Sequence, residues 1–190
     1  MPIGIRLALP FVIGTALIAV GLSAAGAEPG DRQARALAAS VVVTDWPSAS
    51  ALAARRLIAQ YGVPDVVQAD RLSWVDNRPW KRTVVRRMAP ADIEPGDHAA
   101  VFQTVEFPLT LTQASALRAF DPRLSYDHAT MELGSRSERE ETNFLRLNLA
   151  NDIINARMTP DQARGLFAQI LRLEAAGKSA SYLQVLFFPR

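Results

Sequence analysis

The chain contains two histidines, and each directly follows an aspartate, which is a pairing that general-base chemistry can use. The pairs are Asp97-His98 and Asp127-His128. A carboxylate that orients an imidazole is half of a general-base arrangement. Adjacent residues of a strand point to opposite faces, so Asp127 cannot orient His128, whereas Asp92 or Asp97 could do so if the fold brings them together. A hydrolase that uses His98 or His128 with nearby carboxylates is therefore one function class that the sequence leaves open, and two surface histidines are the simpler interpretation.

The segment from Asp92 to His98 also combines the side chains that bind metal ions. It contains three carboxylates, those of Asp92, Glu94 and Asp97, together with the imidazole of His98. Oxygen and nitrogen ligands at this density could hold Zn²⁺, Mn²⁺ or Ca²⁺. No paired-histidine or EF-hand spacing accompanies them, and a polar loop between strands explains the same residues. A metal-binding periplasmic protein is thus a second alternative. The function that we favour below requires no metal and no cofactor.

Basic side chains are concentrated in one predicted hairpin, together with two tryptophans. The candidate binding residues of this basic hairpin are Trp74, Arg78, Trp80, Lys81, Arg82, Arg86 and Arg87. They could form an anion-binding face for phospholipid head groups or an acidic envelope polymer, with the tryptophans supplying apolar contact area. Alternatively, the arginines protect a sheet edge from aggregation and pair with acidic residues.

Catalytic motifs are missing from the sequence. It contains no G-x-S-x-G, no S-x-x-K, no phosphate-binding loop and no cysteine nucleophile. A polar stripe of Asn148, Asn151, Asp152 and Asn155 follows one side of a predicted helix, and we interpret it as a solvated stripe rather than the lining of a groove. These observations favour a non-catalytic protein over an enzyme.

The elements that must position these residues indicate an α+β fold, with a mainly antiparallel sheet packed by one N-terminal helix and two capped C-terminal helices. Hydrophobic alternation predicts strands over 72–75, 80–87, 101–107, 124–133 and 182–188, and a short one over 41–43. The predicted helices cover residues 48–61, which Gly62 and Pro64 follow, and 112–120, and two more begin at capping boxes, Ser137 with Glu140 and Thr159 with Gln162. The two capped helices are expected to end near Arg157 and Ala176.

The apolar faces of these elements predict the core. Its expected members are Trp74, Val105, Phe107, Met131, Phe144, Leu149, Ile153, Phe167, Ile170 and Leu186. All the predicted strands from residue 72 onward are expected to share one sheet, and residues 41–190 are expected to form one domain.

The N-terminus has the three parts of a secretory signal peptide. A single charge, Arg6, precedes the apolar run of residues 7–22, and the small-residue exit Ala25-Gly26-Ala27 follows it. This pattern predicts cleavage after Ala27 and a periplasmic mature chain with a flexible leader over residues 28–40. The alternative is an uncleaved segment, residues 7–27, that anchors the protein in the inner membrane.

The amino-acid composition restricts the classes of molecule that the chain is expected to bind. The chain has no cysteine, so it forms no disulfide and binds no metal through sulfur. Its formal charge is +2 and falls to +1 when Arg6 is removed with the signal peptide. A nearly neutral exported domain argues against nucleic acid as a partner. An anionic envelope component or another envelope protein is the expected partner.

One short segment resembles a known structural unit. Tyr61-Gly62-Val63-Pro64-Asp65 lies between a predicted helix and the strand that carries Trp74. Over about residues 48–87 this arrangement resembles the helix–Gly-x-Pro–Trp-strand unit of outer-membrane assembly lipoproteins and of the β-lactamase-inhibitor-protein fold. Proteins of both groups work by binding other proteins, so the resemblance implies a binding role. The chain departs from the lipoprotein pattern because it lacks the cysteine that carries the lipid.

A longer part of the chain, about residues 61–188, resembles an uncharacterised family of exported bacterial proteins. The stretches that carry the resemblance are Leu72-Ser73-Trp74, Pro79-Trp80-Lys81-Arg82-Thr83, Asn143-Phe144-Leu145, Asn148-Leu149-Ala150 and Gly177-Lys178. The resemblance implies export but neither a reaction nor catalytic residues. We therefore expect a non-catalytic exported binding or accessory protein of the bacterial envelope.

Overall fold

The computed structural model describes residues 29–88 and 99–188. The expected signal peptide, the segment from Asp92 to Asp97 and His98 lie outside the described residues. Within the described residues, no helix is both long and apolar enough to cross a membrane.

An antiparallel sheet of six strands forms one layer of the described structure, and its strand order is β1-β2-β3-β4-β6-β5. The strands are β1 Val66–Val67, β2 Arg71–Val75, β3 Arg82–Arg86, β4 Val101–Glu106, β5 Leu124–Asp127 and β6 Glu132–Ser137. Helices form the second layer: α1 Pro29–Thr44, α2 Ser48–Tyr61, α3 Leu111–Phe120, α4 Glu140–Ile154 and α5 Pro160–Ala175. The predicted α+β class with a mainly antiparallel sheet is confirmed.

The sheet buries one face against the helices. Leu72, Trp74 and Val85 alternate with exposed residues along β2 and β3 and are buried, as a sheet with one solvated face requires. Arg71 and Arg86, which are paired across these strands, lie on the opposite face. The helices therefore cover the face that carries the tryptophan.

Two hydrophobic cores lie on that face. The first contains apolar residues of α3, α4, α5 and the C-terminal segment, packed on Val105 and Leu133. The second contains residues of α1 and α2, packed on Leu72 and Val85. Tyr61, at the end of α2, contacts both cores. Its polar hydroxyl thus lies where the two cores meet.

The N-terminal part of the described chain differs from the prediction. The flexible leader expected over 28–40 and the strand expected over 41–43 are replaced by α1, which spans Pro29–Thr44. Ala39 and Val43, four residues apart, are both buried, as is Trp46 just after the helix. Burial of one helical face decides the conformation here, although the three consecutive valines favour a strand locally.

The predicted strand 124–133 is two strands joined by a turn. The carboxylate of Asp127 accepts hydrogen bonds from the backbone N–H groups of Ala129 (2.8 Å) and Thr130 (3.4 Å), which is how an aspartate initiates a turn. Met131 adopts a positive φ of 53° in this turn and is 52% exposed. The prediction that Met131 belongs to the core is therefore wrong.

The C-terminal apolar run, predicted as a strand over 182–188, is not a strand of the sheet. Residues Ser181–Leu183 form a 3₁₀ turn, and the segment after it is bonded to α4. The side chain of Asn148 supplies the hydrogen bonds that a neighbouring strand would otherwise provide: its Nδ2 donates to the carbonyl groups of Tyr182 (3.2 Å) and Val185 (2.7 Å). Its Oδ1 accepts from the Phe187 N–H (2.8 Å).

The remaining predicted core residues are buried or partly buried. Trp74, Val105, Phe144, Leu149, Ile153, Ile170 and Leu186 are buried, whereas Phe107 and Phe167 are partly buried against the first core.

Only one of the two predicted capping boxes forms. Thr159 accepts from the Gln162 N–H, and the Gln162 side chain accepts in turn from the Thr159 N–H. Ser137 instead donates its hydroxyl to the carbonyl of Arg139, the N-cap residue of α4, which forms no side-chain cap. Glu140 is therefore not part of a cap, and its carboxylate is used elsewhere.

Candidate functional site

The basic hairpin consists of β2, β3 and the connection between them. Its turn is closed by a hydrogen bond from the Asp76 N–H to the Lys81 carbonyl (2.8 Å) and by an ion pair between the same two side chains (2.8 Å). The Arg78-Pro79 peptide bond is cis. Trp80 follows Pro79 directly, before β3 begins at Arg82.

Both tryptophans of the hairpin are buried rather than exposed. Trp74 is 2% exposed and Trp80 is 1% exposed, so the expectation that they offer contact area on the surface is wrong. Each indole N–H has an internal acceptor: Trp74 donates to the carbonyl of Gly62 (3.0 Å), and Trp80 donates to Glu140 (2.5 Å). A buried indole requires such a partner.

The basic residues of the hairpin separate into two groups. Arg82 and Arg86 lie on the exposed face of β3, two pleats apart, and Arg82 forms an ion pair with Glu132 on β6 (3.0 Å). Arg78 and Lys81 lie in the turn and line a cavity instead. The hairpin is thus not one continuous basic surface.

This cavity, which we call the hairpin groove, has a volume of about 520 Å³. Its apolar lining comes from Pro79, Trp80, Val105, Pro108, Leu186 and Phe188, and its polar lining from Asp76, Arg78, Lys81 and Glu106. Cavities of roughly 300–1,000 Å³ with a mainly apolar lining and a few polar groups are typical of ligand sites. Within the described residues, Arg78 forms no ion pair or side-chain hydrogen bond, whereas Lys81 is paired with Asp76.

Beneath the groove, Glu140 accepts hydrogen bonds from four side chains. Its Oε1 receives the Tyr61 hydroxyl (2.5 Å), the Trp80 indole N–H (2.5 Å) and the Gln103 amide (2.6 Å). Its Oε2 receives the Gln60 amide (2.7 Å). Glu140 is 8% exposed. All four donors are uncharged, so among the described residues this buried carboxylate is held by neutral hydrogen bonds and not by an ion pair.

The Glu140 cluster connects the two cores. From Gln103 the hydrogen bonds continue to Asn143 (2.9 Å) and from there to Ser135 (2.8 Å), so polar side chains of α4 and the sheet are linked between the apolar clusters. Burial, followed by the hydrogen bond to Glu140, raises the pKa of Tyr61. The tyrosine hydroxyl is therefore a proton donor to Glu140 and not a nucleophile at neutral pH.

One face of α4 holds the floor and one wall of the hairpin groove. Glu140, Phe144 and Asn148 are four residues apart and therefore lie on the same side of the helix. Glu140 binds the Trp80 N–H, Phe144 stacks on the Trp80 ring with 4.9 Å between centroids, and Asn148 binds the segment that carries Leu186 and Phe188. The floor and one wall of the hairpin groove are thus fixed by a single buried helix.

The polar stripe of α4 is buried, so the prediction of a solvated stripe is wrong for most of it. Asn148, Asn151 and Asp152 are buried. Asp152 accepts from the Tyr182 hydroxyl (2.6 Å) and pairs with Arg157 (2.9 Å). Asn155 is exposed at the end of the helix. Asn148 and Asp152 attach the C-terminal segment to the helix, whereas Asn155 donates to Asn151.

His128 lies in the turn after β5 and packs edge-on against Tyr126, with 4.6 Å between the ring centroids. The carboxylate of Asp127 bonds to the turn backbone, in agreement with the expectation that it does not orient His128. Within the described residues, no group of three or more histidine, aspartate or glutamate side chains could hold a metal ion. The pairing with Asp92 or Asp97 and the metal site over Asp92–His98 involve residues outside this part and stay predictions.

No family model, no curated protein and no solved structure matches this chain. The two resemblances drawn from the sequence therefore stay expectations.

Sequence reasoning missed Glu140 and Asn148 as organising residues. Glu140 is the fourth residue of a capping-box pattern, so the sequence predicts that its carboxylate caps α4. Asn148 belongs to a stripe that the sequence predicts to be solvated. The available signal was the density of Asn, Asp and Glu on a helix that is apolar on its other sides, because polar side chains in such a buried helix need internal partners.

Proposed function

We propose that this chain is a non-catalytic exported binding protein of the bacterial envelope, and that the hairpin groove holds an anionic group of its partner. The observation that carries this proposal is Arg78, a cation without a described partner, which lines a partly apolar groove of about 520 Å³. A cation beside apolar walls attracts a ligand that is both anionic and apolar.

The polar lining of the groove restricts the ligand further. Lys81 is neutralised by Asp76, and Glu106 adds a second carboxylate to the lining. An extended polyanion would place several of its charges near these carboxylates, which is unfavourable. The groove therefore favours one anionic group flanked by apolar atoms, such as an acidic side chain within an apolar segment of another envelope protein.

The geometry around Glu140 supports binding more than catalysis. Glu140 is the most deeply hydrogen-bonded carboxylate near the groove, but it already receives a tyrosine, an indole and two amides, and it faces Trp80 from below. A general base needs a reacting proton within hydrogen-bond reach. Here those positions are taken by groups that hold the fold together.

Export is part of the proposal and has its own test. N-terminal sequencing of the protein from a periplasmic extract should give a chain that begins near Glu28. Recovery of an intact Met1 in the membrane fraction would contradict cleavage and favour the anchored alternative.

The binding surface is tested with a charge reversal inside the groove and a matched one outside it. Arg78→Glu changes a residue that lines the groove, whereas Arg86→Glu makes the same change on the exposed face of the same hairpin. In a pull-down from envelope extract, we expect Arg78→Glu to lose the partner and Arg86→Glu to keep it. Recovery by the wild type should decrease with added salt, because exposed charges are screened beyond about 8 Å at physiological ionic strength.

Two outcomes would count against the groove. Equal recovery of the same partner by both variants would remove Arg78 from the binding site. Loss of the partner from Arg86→Glu alone would place the site on the exposed face of the sheet, as the sequence also allows.

A further inference from the structure

A second cavity, of about 200 Å³, lies where β6 leads into α4, and residues of α5 form another part of its wall. Its lining includes Arg123, Arg139, Thr142, Arg146 and Phe167. None of these residues lines the hairpin groove. The cavity is too small for a drug-sized molecule and large enough for a small ion with its first contacts.

Arg146 is the residue that gives this cavity its chemistry. Its side chain is 0% exposed, although it projects from the middle of α4. Its Nε donates to Asp121 (2.6 Å), and its Nη1 donates to the hydroxyl of Ser135 and the carbonyl of Arg136, both at 3.0 Å. Nη2 is buried and has no hydrogen-bond partner among the described residues. A buried, unsatisfied donor on a charged group is costly, so an acceptor at this position would be stabilising.

Nη2 of Arg146 is the guanidinium nitrogen that is available to a ligand in the cavity. Nε and Nη1 are occupied by the partners above, and the guanidinium carbon lies 5.3 Å from the centroid of Phe167, which also lines the cavity. A planar guanidinium in this position can offer an N–H to an oxyanion, which is the group that arginine recognises best.

The charges around the cavity are balanced, so its affinity for an anion depends on the unpaired Arg146 nitrogen and not on net charge. The arginines at positions 123, 136, 139 and 146 are opposed by four acids, Asp121, Glu138, Glu141 and Glu174. Burial, and to a lesser degree the nearby charges of Arg123 and Arg136, lower the pKa of Arg146, while Asp121 opposes that change. A bound anion would favour its charged form.

The start of α4 adds uncapped backbone donors. Its N-cap, Arg139, provides no side-chain acceptor for the first N–H groups of the helix. Arg139 and Thr142, on either side of the helix start, both line the cavity. The N-terminus of a helix of this length attracts anions through its free N–H groups and its dipole.

We infer that this cavity is a binding site for a small oxyanion of phosphate size, held by Arg146, Arg139, Thr142 and the N-terminus of α4. The phosphate can be free inorganic phosphate or the terminal group of a phosphate monoester, since both present the same oxygens. The site is independent of the hairpin groove and of the function proposed for it.

The test is equilibrium dialysis of the full purified chain against radiolabelled inorganic phosphate in a chloride buffer of constant ionic strength. We expect saturable binding in the millimolar range or tighter. Competition by glycerol 3-phosphate would identify a monoester as an acceptable ligand, and absence of competition would restrict the site to free phosphate. Absence of saturable phosphate binding by the wild type would overturn the inference.

Substitutions distinguish a specific phosphate-binding site from nonspecific attraction of phosphate to positive charge. Arg146→Gln removes the central group, but it also breaks the buried pair with Asp121 and so risks unfolding. Arg139→Gln is therefore the main variant, and Arg157→Gln is its control. Each substitution breaks one ion pair, Arg139 with Glu174 or Arg157 with Asp152, but only Arg139 lines the cavity. Loss of one charge-assisted contact should raise the phosphate Kd about tenfold for Arg139→Gln. The control should bind as the wild type does.

Two further results decide the inference. Equal weakening by Arg139→Gln and Arg157→Gln would show that phosphate responds only to net charge, which would refute a built site. Arg78→Glu should bind phosphate normally even if it loses the envelope partner, so failure at one site is distinguishable from failure at the other.

Discussion

Replacement of Glu140 tests whether the hydrogen-bonded cluster between the two cores stabilises the fold. Glu140→Gln keeps the shape of the side chain and removes its charge, whereas Glu140→Ala removes the acceptor for all four donors. Glu141 is the matched control, because Glu141→Gln removes the same charge from the same first turn of α4.

The expected loss of stability follows from the number and type of hydrogen bonds. A bond to a charged acceptor contributes roughly 1.5–3 kcal/mol and a neutral one roughly 0.5–1.5 kcal/mol, so in Glu140→Gln the three bonds to the retained oxygen lose about 1 kcal/mol each. The bond from Gln60 is lost, because the new NH2 group cannot accept it. Relief of the desolvation cost of a buried charge offsets part of this loss, which leaves about 2 kcal/mol. Glu140→Ala removes the carboxylate altogether, so the Trp80 indole keeps only the Tyr61 hydroxyl (3.0 Å) as an acceptor, and the substitution should cost about 4 kcal/mol or more. The control should change the free energy of unfolding by no more than about 0.5 kcal/mol.

Urea unfolding followed by tryptophan fluorescence measures these differences, and Trp80 reports directly from the cluster. With an m-value of about 2 kcal/mol/M, Glu140→Gln should lower the midpoint by about 1 M and Glu140→Ala by about twice as much. A Glu140→Ala protein whose free energy of unfolding lies within about 1 kcal/mol of the wild type would refute the reasoning, because the loss of four hydrogen bonds to a buried carboxylate would then cost nothing measurable.

Two other predictions concern the attachment of the C-terminal segment to α4. Asn148→Ala removes three hydrogen bonds to the backbone of residues 182–187 and should cost about 3 kcal/mol, with faster limited proteolysis near those residues than near α5. Burial and the hydrogen bond to Asp152 raise the pKa of Tyr182 from 10.0 to about 12, because the folded chain disfavours the phenolate. The stabilisation that results is fully present below pH 10 and is lost as the pH rises through about 12. In an absorbance titration of the folded protein, Tyr182→Phe should remove an ionisation step near pH 12, and a step that persists would contradict this assignment.

The fold class could be predicted from the sequence because its signals are local. Alternation in β2 and β3, the capping box at Thr159 and the apolar faces of the C-terminal helices each identify an element without reference to distant residues. The predictions of secondary structure are wrong where tertiary contacts determine the conformation of a segment. The valines before Thr44 are helical because Ala39 and Val43 are buried together, and the run after Tyr182 is not a strand because Asn148 satisfies its backbone.

The sequence indicates where the basic side chains of the hairpin lie, but not how the groove beside them is built. The positions of Arg78 and Lys81 in the hairpin turn put charge near the groove, and that much is visible in the sequence. The burial of Trp80 depends on Glu140, which is 60 residues away along the chain. Local patterns cannot identify a pair at that separation, and the Ser137–Glu140 pattern supplied a simpler explanation for the carboxylate.

The common face of α4 has a consequence for binding that goes beyond stability. Arg78 supplies the charge of the hairpin groove from the turn, whereas Glu140, Phe144 and Asn148 hold its apolar floor and wall from below. If the groove binds as proposed, Asn148→Ala should weaken the partner by displacing Leu186 and Phe188, while the dependence of binding on salt stays that of the wild type because Arg78 is unchanged. Arg78→Gln, which removes the charge without reversing it, should instead weaken binding and remove the salt dependence. The two variants thus separate the apolar from the electrostatic part of recognition, and a change in salt dependence caused by Asn148→Ala would mean that the two parts are not structurally independent.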